Sequence, residues 1–337
     1  MAAHAPLKIG VALGSGSARG WSHIGVLKQL MAMGIEPDVV AGTSIGALVG
    51  SCYAAGKLQQ LEDWVVSLGW RDVVSLLDVK FSGGLIEGRK VFQFFREHLP
   101  DYSFKDLDKK FAAVATDLES GREVWLQHGH LAEAVRSSIS LPGLFTPYRT
   151  QNGRYLVDGG LVNPVPVSLC RALGADLVIA VNLNAELVGR HLRSSRRMSE
   201  EFAADSPAPV TDAEELPPES GEASEEQKEL RRAESDFFSK VSQLFSDWGQ
   251  REPANAAGTT PGMMEVMASS INIMQDRVTR SRMAGDPPDL VLTPRLAHIG
   301  LMEFYRAAEA IAEGEKTVHL AEPQLYDLLG EELPEHS

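Results

Sequence analysis

Cysteine is scarce. Only Cys52 and Cys170 occur among the 337 residues, and both sit inside apolar runs. A disulfide-stapled secreted domain is excluded, and no CxxC or His/Cys pair stands at metal-ligand spacing. The two read as buried free thiols. No apolar stretch approaches the roughly 18 residues of a membrane-spanning helix. The segment Met1–Pro6 has neither a charged n-region nor an apolar h-region, so no signal peptide is expected and the reading is a cytoplasmic protein. Basic charge is short as well, with 32 Lys and Arg against 46 Asp and Glu. No basic surface for nucleic acid is expected.

What is present is the composition of a globular α/β protein, 44% hydrophobic and 23% charged. The net charge of −14 is uneven: residues 200–234 hold 12 acidic against 3 basic residues. That stretch, with Pro, Ser and Ala and few large apolar residues, cannot bury enough surface to offset its ordering entropy. Together with the Arg190, Arg193, Arg196 and Arg197 cluster before it, it reads as a disordered acidic insertion over 190–235. It interrupts a single domain of residues 7–320, and 321–337 form a tail.

Around the insertion the pattern alternates. Strands are expected at 8–13, 38–41, 111–118, 123–126, 155–157, 176–183 and 290–292. Helices are expected at 21–33, 45–55, 57–68, 88–98, 130–138, 166–173, 262–283 and 301–319. Continuous apolar strands between helices imply an α/β fold with a mainly parallel sheet covered on both faces.

Two glycine-rich loops carry the chemistry. Gly42-Thr43-Ser44-Ile45-Gly46 lies between a short strand and a small-residue helix, the context of a nucleophile elbow. A plain helix N-cap is the bland alternative. Gly14-Ser15-Gly16-Ser17-Ala18-Arg19-Gly20 follows the first strand. It is a poor dinucleotide fingerprint: the sixth position is Arg19, Gly20 comes one residue late, and the second strand ends without a ribose-binding acid. The other reading is an oxyanion hole built from the backbone N–H groups of Gly16 and Ser17. None of the nine histidines has a persuasive base context. Asp158-Gly159-Gly160, at the end of a strand, is the better base candidate, against the alternative of an ordinary turn aspartate.

These pieces, with Ala115-Thr116-Asp117-Leu118, Ser138-Ile139-Ser140-Leu141-Pro142-Gly143-Leu144-Phe145 and Asn163-Pro164-Val165-Pro166, occur in one order. In that order the chain resembles the patatin-like phospholipase family, in particular its bacterial RssA-type branch, over residues 7–184 and more weakly over 262–320. The resemblance implies a three-layer α/β/α fold and a Ser–Asp dyad without histidine or cofactor. Ser44 is then the nucleophile and Asp158 the general base. Gly16, Ser17 and Ile45 supply the oxyanion hole, and Gly14, Arg19, Gly20, Gly42, Gly46, Gly159 and Gly160 shape the loops. One departure stands out: Ser15-Gly16-Ser17 replaces the family's frequent glycine run, and the Cβ of Ser17 disfavours positive φ. The implied reaction is hydrolysis of a lipid or fatty-acyl ester through an acyl-enzyme. The alternative is a catalytically weak regulatory or lipid-binding protein on the same fold.

One further segment is set apart. Phe237, Phe238, Val241, Leu244, Phe245 and Trp248 share one helical face. It reads either as part of the core or as a lid over the site, with peripheral contact to the inner face of the membrane as a third role.

Overall fold

In a computed structural model the described residues are 7–69, 79–80, 85–86, 102–142, 145–185 and 263–330. The expected helix at 88–98, the insertion at 190–235, the aromatic segment 237–248 and residues 143–144 lie outside them. The chain divides into two compact units: residues 1–197 with 267–337, and residues 198–266.

The first unit is built on an eight-stranded sheet. In chain order its strands are β1 (Ile9–Leu13), β2 (Val39–Thr43), β5 (Lys110–Asp117), β6 (Glu123–Leu126), β7 (Tyr148–Arg149), β8 (Tyr155–Asp158), β9 (Leu177–Val181) and β10 (Leu290–Leu292). A separate antiparallel pair joins β3 (Val79–Lys80) to β4 (Leu85–Ile86). The sheet order is β10-β9-β1-β2-β5-β8-β7, with β6 also paired to β5. From β10 to β5 every pairing is parallel; β6, β8 and β7 are antiparallel.

Among the described residues the helices are α1 (Ser22–Ala32), α2 (Ile45–Ala54), α3 (Leu58–Ser67), α4 (Leu131–Ser138), α5 (Val167–Ala172), α6 (Met263–Gly285), α7 (Ala307–Leu320) and α8 (Glu322–Leu329). None of them is long and apolar enough to cross a membrane. β2 and β9 are buried at every residue because both faces of the sheet are covered. On one face Val11, Leu13, Val40 and Phe111 meet α1, α2 and α7. On the other, Ala12, Val39, Ala41 and Val114 meet α5. Layers on both faces make the α/β/α architecture expected from the alternation. Cys52 and Cys170 are buried free thiols, which burial pushes up to about 12.

Strand adjacency positions the site. β1 and β2 are parallel neighbours with Leu13 opposite Gly42, so the loop after β1 and the turn after β2 open at the same sheet edge. β5 lies beside β2, with Thr43 opposite Val114. β8 runs back along β5 and sets Asp158 opposite Ala115, one residue beyond Val114. An antiparallel strand thus brings a residue from far along the chain to the edge where the parallel strands end.

Candidate active site

Ser44 occupies the turn between β2 and α2 with φ 58° and ψ −122°. Only Ser44 and Ser17 combine a side chain with positive φ among the described residues. Such a conformation is strained for an L-residue and persists only where neighbours over-determine it. The neighbours here are glycines. A Cβ on Gly42 would fall 2.4 Å from the Gly46 carbonyl oxygen, and one on Gly46 would fall 2.1 Å from that of Leu13. The turn can therefore be this tight only with glycine at both positions. From the far side, Ser138 Oγ accepts from the Ser44 N–H at 2.8 Å and donates to the Val114 carbonyl at 2.6 Å.

The hydroxyl that this turn presents donates to Asp158 Oδ2 at 2.5 Å. Asp158 is 1% exposed. Gly160 N–H donates to its other oxygen at 2.7 Å, Asp158 N–H donates to the Ser140 carbonyl, and Thr116 Oγ1 donates to the Asp158 carbonyl. The carboxyl is thus held at both ends and along its backbone. Burial pushes it up to about 6, against the opposing pull of the bonds from Ser44 and Gly160.

The loop after β1 faces the same space. Its Gly14 N–H donates to the Val181 carbonyl, Ser15 N–H to Pro164 and Ala18 N–H to Leu301. The N–H groups of Gly16 and Ser17, and that of Ile45 at the start of α2, donate to no protein acceptor among the described residues. These are the three donors expected for the oxyanion hole. Ser17 sits at φ 51°, so the left-handed conformation that serine disfavours is nonetheless adopted. Arg19 is 1% exposed, and its guanidinium donates to the carbonyls of Gly16 and Leu183 and to Asn184 Oδ1, each at 3.3 Å. A fourth bond reaches Asn272 Oδ1. No carboxylate pairs with it among the described residues. Burial lowers it to about 10, so it stays cationic at neutral pH. Gly20 has no room for a side chain, because a Cβ there would meet Ile45 at 2.0 Å.

Ser44, Asp158, Gly16 and Ser17 line one small cavity of about 20 Å³, roofed by Ile271, Asn272, Gln275 and Leu301. That is room for little more than one water molecule. A larger cavity, about 490 Å³, lies at the other end of β5 beside Phe104, Lys110 and Leu173 and contains no hydroxyl–carboxylate pair.

Sequence comparison gives the family. The model of the patatin-like phospholipases matches residues 11–171. Uncharacterized NTE family proteins of Mycobacterium bovis and Mycobacterium tuberculosis are 34% identical over 329 residues, covering 91% of this chain and 89% of theirs. The chain belongs to the patatin-like phospholipase family. The neuropathy target esterase sws of Drosophila melanogaster is 33% identical over 186 residues, or 53% of this chain and 13% of that protein. The lysophospholipase nte1 of Emericella nidulans is 32% identical over 187 residues, or 52% and 12%. In both, the match is confined to a small part of a much longer protein.

Of the site residues expected from sequence, the structure brings together Ser44, Asp158, Gly16, Ser17, Ile45 and Arg19. It keeps the described histidines apart from the pair: His298 and His319 bond to Glu309 and Glu322, and His128 and His130 are exposed. His191 lies outside the described residues. His23 has a role that sequence reading missed. It is fully buried, burial lowers it to about 4, and its neutral ring donates through Nε2 to the Gly14 carbonyl at 2.7 Å. It is a brace under the loop. Ser138 and Gln275 were missed as well. Nothing in the Ser138–Phe145 stretch marks Ser138 as a brace, and nothing in the pattern of α6 distinguishes Gln275 from its neighbours.

Proposed function

We propose that the protein is a serine hydrolase of lipid or fatty-acyl esters, in keeping with the RssA-type branch of its family, working through a Ser44–Asp158 dyad. The observation that carries this reading is the short hydrogen bond from Ser44 Oγ to a buried Asp158 carboxylate that no histidine among the described residues shares. The lipid side is supported by relatives named as an esterase and a lysophospholipase.

A carboxylate at its usual value near 3.9 is a weak base toward a hydroxyl. Burial to about 6 narrows that gap while leaving most of the carboxylate ionised at pH 7. Ser44 Oγ attacks the ester carbonyl as its proton passes to Asp158 Oδ2. The negative charge growing on the carbonyl oxygen is met by the N–H groups of Gly16, Ser17 and Ile45, and by the dipole of α2. Arg19, a buried cation behind the same loop, adds a favourable field that solvent does not screen. Asp158 returns the proton to the departing alcohol, then accepts one from the water that releases the fatty acid.

A fluorophosphonate probe tests the first half of this sequence. Labelling mapped to Ser44, with turnover of 4-nitrophenyl butanoate that Ser44→Ala abolishes, is the expected result. Labelling without turnover favours a catalytically weak lipid-binding protein. An unlabelled Ser44 overturns the reading.

A further inference from the structure

Gln275 lies on α6, is 5% exposed, and lines the same cavity as Ser44 and Asp158. Its side-chain oxygen accepts from Ser15 Oγ at 3.0 Å and from Asn184 Nδ2 at 3.3 Å. The orientation of this amide is dictated by a neighbour that can only donate. Arg19 has no acceptor atom, so the atom of Asn184 facing Arg19 Nη2 at 3.3 Å must be Oδ1. The Asn184 Nδ2 group therefore faces Gln275, and Gln275 must answer with Oε1.

That leaves Gln275 Nε2 on the other side, toward Gly160. A Cβ on Gly160 would fall 2.4 Å from Nε2 and 2.9 Å from Asp158 Oδ1, so the amide nitrogen and the carboxylate flank one spot. Among the described residues Nε2 donates to nothing. Nε2 is not among the enclosed unpartnered atoms; its side chain lines the cavity beside Ser44, where a water or a substrate oxygen can accept from it.

We propose that Gln275 contacts the substrate, its Nε2–H donating to the leaving-group oxygen of the ester. This rests on the hydrolase reading. The proposed oxyanion donors lie on the side of Gly16, Ser17 and Ile45, whereas Nε2 stands on the Oδ1 side of the Asp158 carboxylate, whose Oδ2 faces Ser44 and returns the proton. When the tetrahedral intermediate collapses, the bond from the acyl carbon to the alcohol oxygen breaks. Its electron pair goes to that oxygen, which takes the proton Asp158 had accepted from Ser44. A donor at this oxygen stabilises the charge that builds before the proton arrives. In deacylation the attacking water takes the same seat and gives its proton to Asp158.

Two butanoate esters separate this role from a structural one. Nitrophenolate leaves 4-nitrophenyl butanoate without assistance, whereas the alkoxide of glyceryl monobutanoate needs it. The readout is the ratio of kcat/KM for the glyceryl ester to that for the aryl ester. Gln275→Met keeps the length of the side chain and removes the donor, so the ratio is expected to fall about tenfold. Asn184→Asp tests the orientation without touching the cavity wall. The new carboxylate accepts from both Arg19 and Gln275, the amide turns, and its oxygen faces Gly160. The ratio is again expected to fall.

If Gln275 only braces Ser15, both esters lose equally. An unchanged ratio in either variant overturns the proposal, and if Gln275→Met does not fold, Asn184→Asp decides alone. Fluorophosphonate labelling of Ser44 in all three proteins separates this failure from that of the hydrolase reading. Wild-type protein that neither labels nor cleaves either ester removes both.

Discussion

Ser138 Oγ joins the backbone of Ser44 to the sheet: it takes the Ser44 N–H at 2.8 Å and passes its own proton to the Val114 carbonyl at 2.6 Å. This hydroxyl adds to the β2–β5 ladder in tying the strained turn to β5, and β5 is the strand that carries the Asp158 pairing. Ser138→Ala leaves a donor and an acceptor without their partner in a site where Ser138 is fully buried. We expect a loss of about 1–3 kcal/mol in denaturant unfolding. Ester hydrolysis should lose kcat more than it raises KM, because the nucleophile is misaligned while the substrate surface is intact. An increase in KM with unchanged kcat would count against this.

The proposed dyad carries its own pH profile. Asp158 works as a base only when ionised, so kcat/KM should fall about tenfold per pH unit below a midpoint near 6. Ser44→Ala and Asp158→Asn should each remove activity, with the double variant little worse than either. A profile flat down to pH 5 would remove Asp158 from the role.

Asp158 also makes a stability prediction of opposite sign to that of an ordinary paired carboxylate. Its folded value is raised, so the native state holds the proton more tightly than the unfolded chain. Stability from this group is full below about 4 and is lost as pH rises through about 6. Asp158→Asn should therefore be more stable than wild type at pH 8, with the advantage shrinking toward pH 4. Thermal unfolding at the two pH values reads this directly.

His23 pulls the other way. Its folded value lies near 4, below the unfolded 6.5, so its contribution is complete above 6.5 and is lost as pH falls toward 4. The loss is on the order of 3 kcal/mol. Wild-type stability should fall over that window, and His23→Gln should flatten the fall. If the variant keeps the same acid slope, the histidine is not its source.

The loop after β1, proposed to bind the oxyanion, distinguishes two substitutions. Ser17→Gly relieves about 1 kcal/mol of left-handed strain but frees the unfolded chain by a comparable amount. Stability should change little, and activity should be kept or raised. Gly16→Val is different, since even a Cβ there would fall 2.7 Å from Leu183 Cδ1. It should displace the loop and lower kcat by about 100-fold or more. Normal turnover by Gly16→Val would mean that the loop does not bind the oxyanion.

Short-range sterics and periodicity are written into the residues themselves. The glycine–serine–glycine turn after β2 is legible because strand, tight turn and helix follow one another within about fifteen residues, and only glycine fits where backbone crosses backbone. The loop after β1 is legible for the same reason, and its adjacency to Ser44 follows from parallel neighbours in a doubly covered sheet. Tertiary structure decided the rest. Asp158 lies 114 residues from Ser44, and its place depends on β8 running antiparallel to β5, a direction that no residue of β8 announces. The brace from Ser138, the neutral His23 beneath Gly14 and the orientation of Gln275 all depend on which donor meets which acceptor once distant segments are packed. Burial then pushes the Asp158 carboxyl up to about 6, because only the assembled sheet removes it from water.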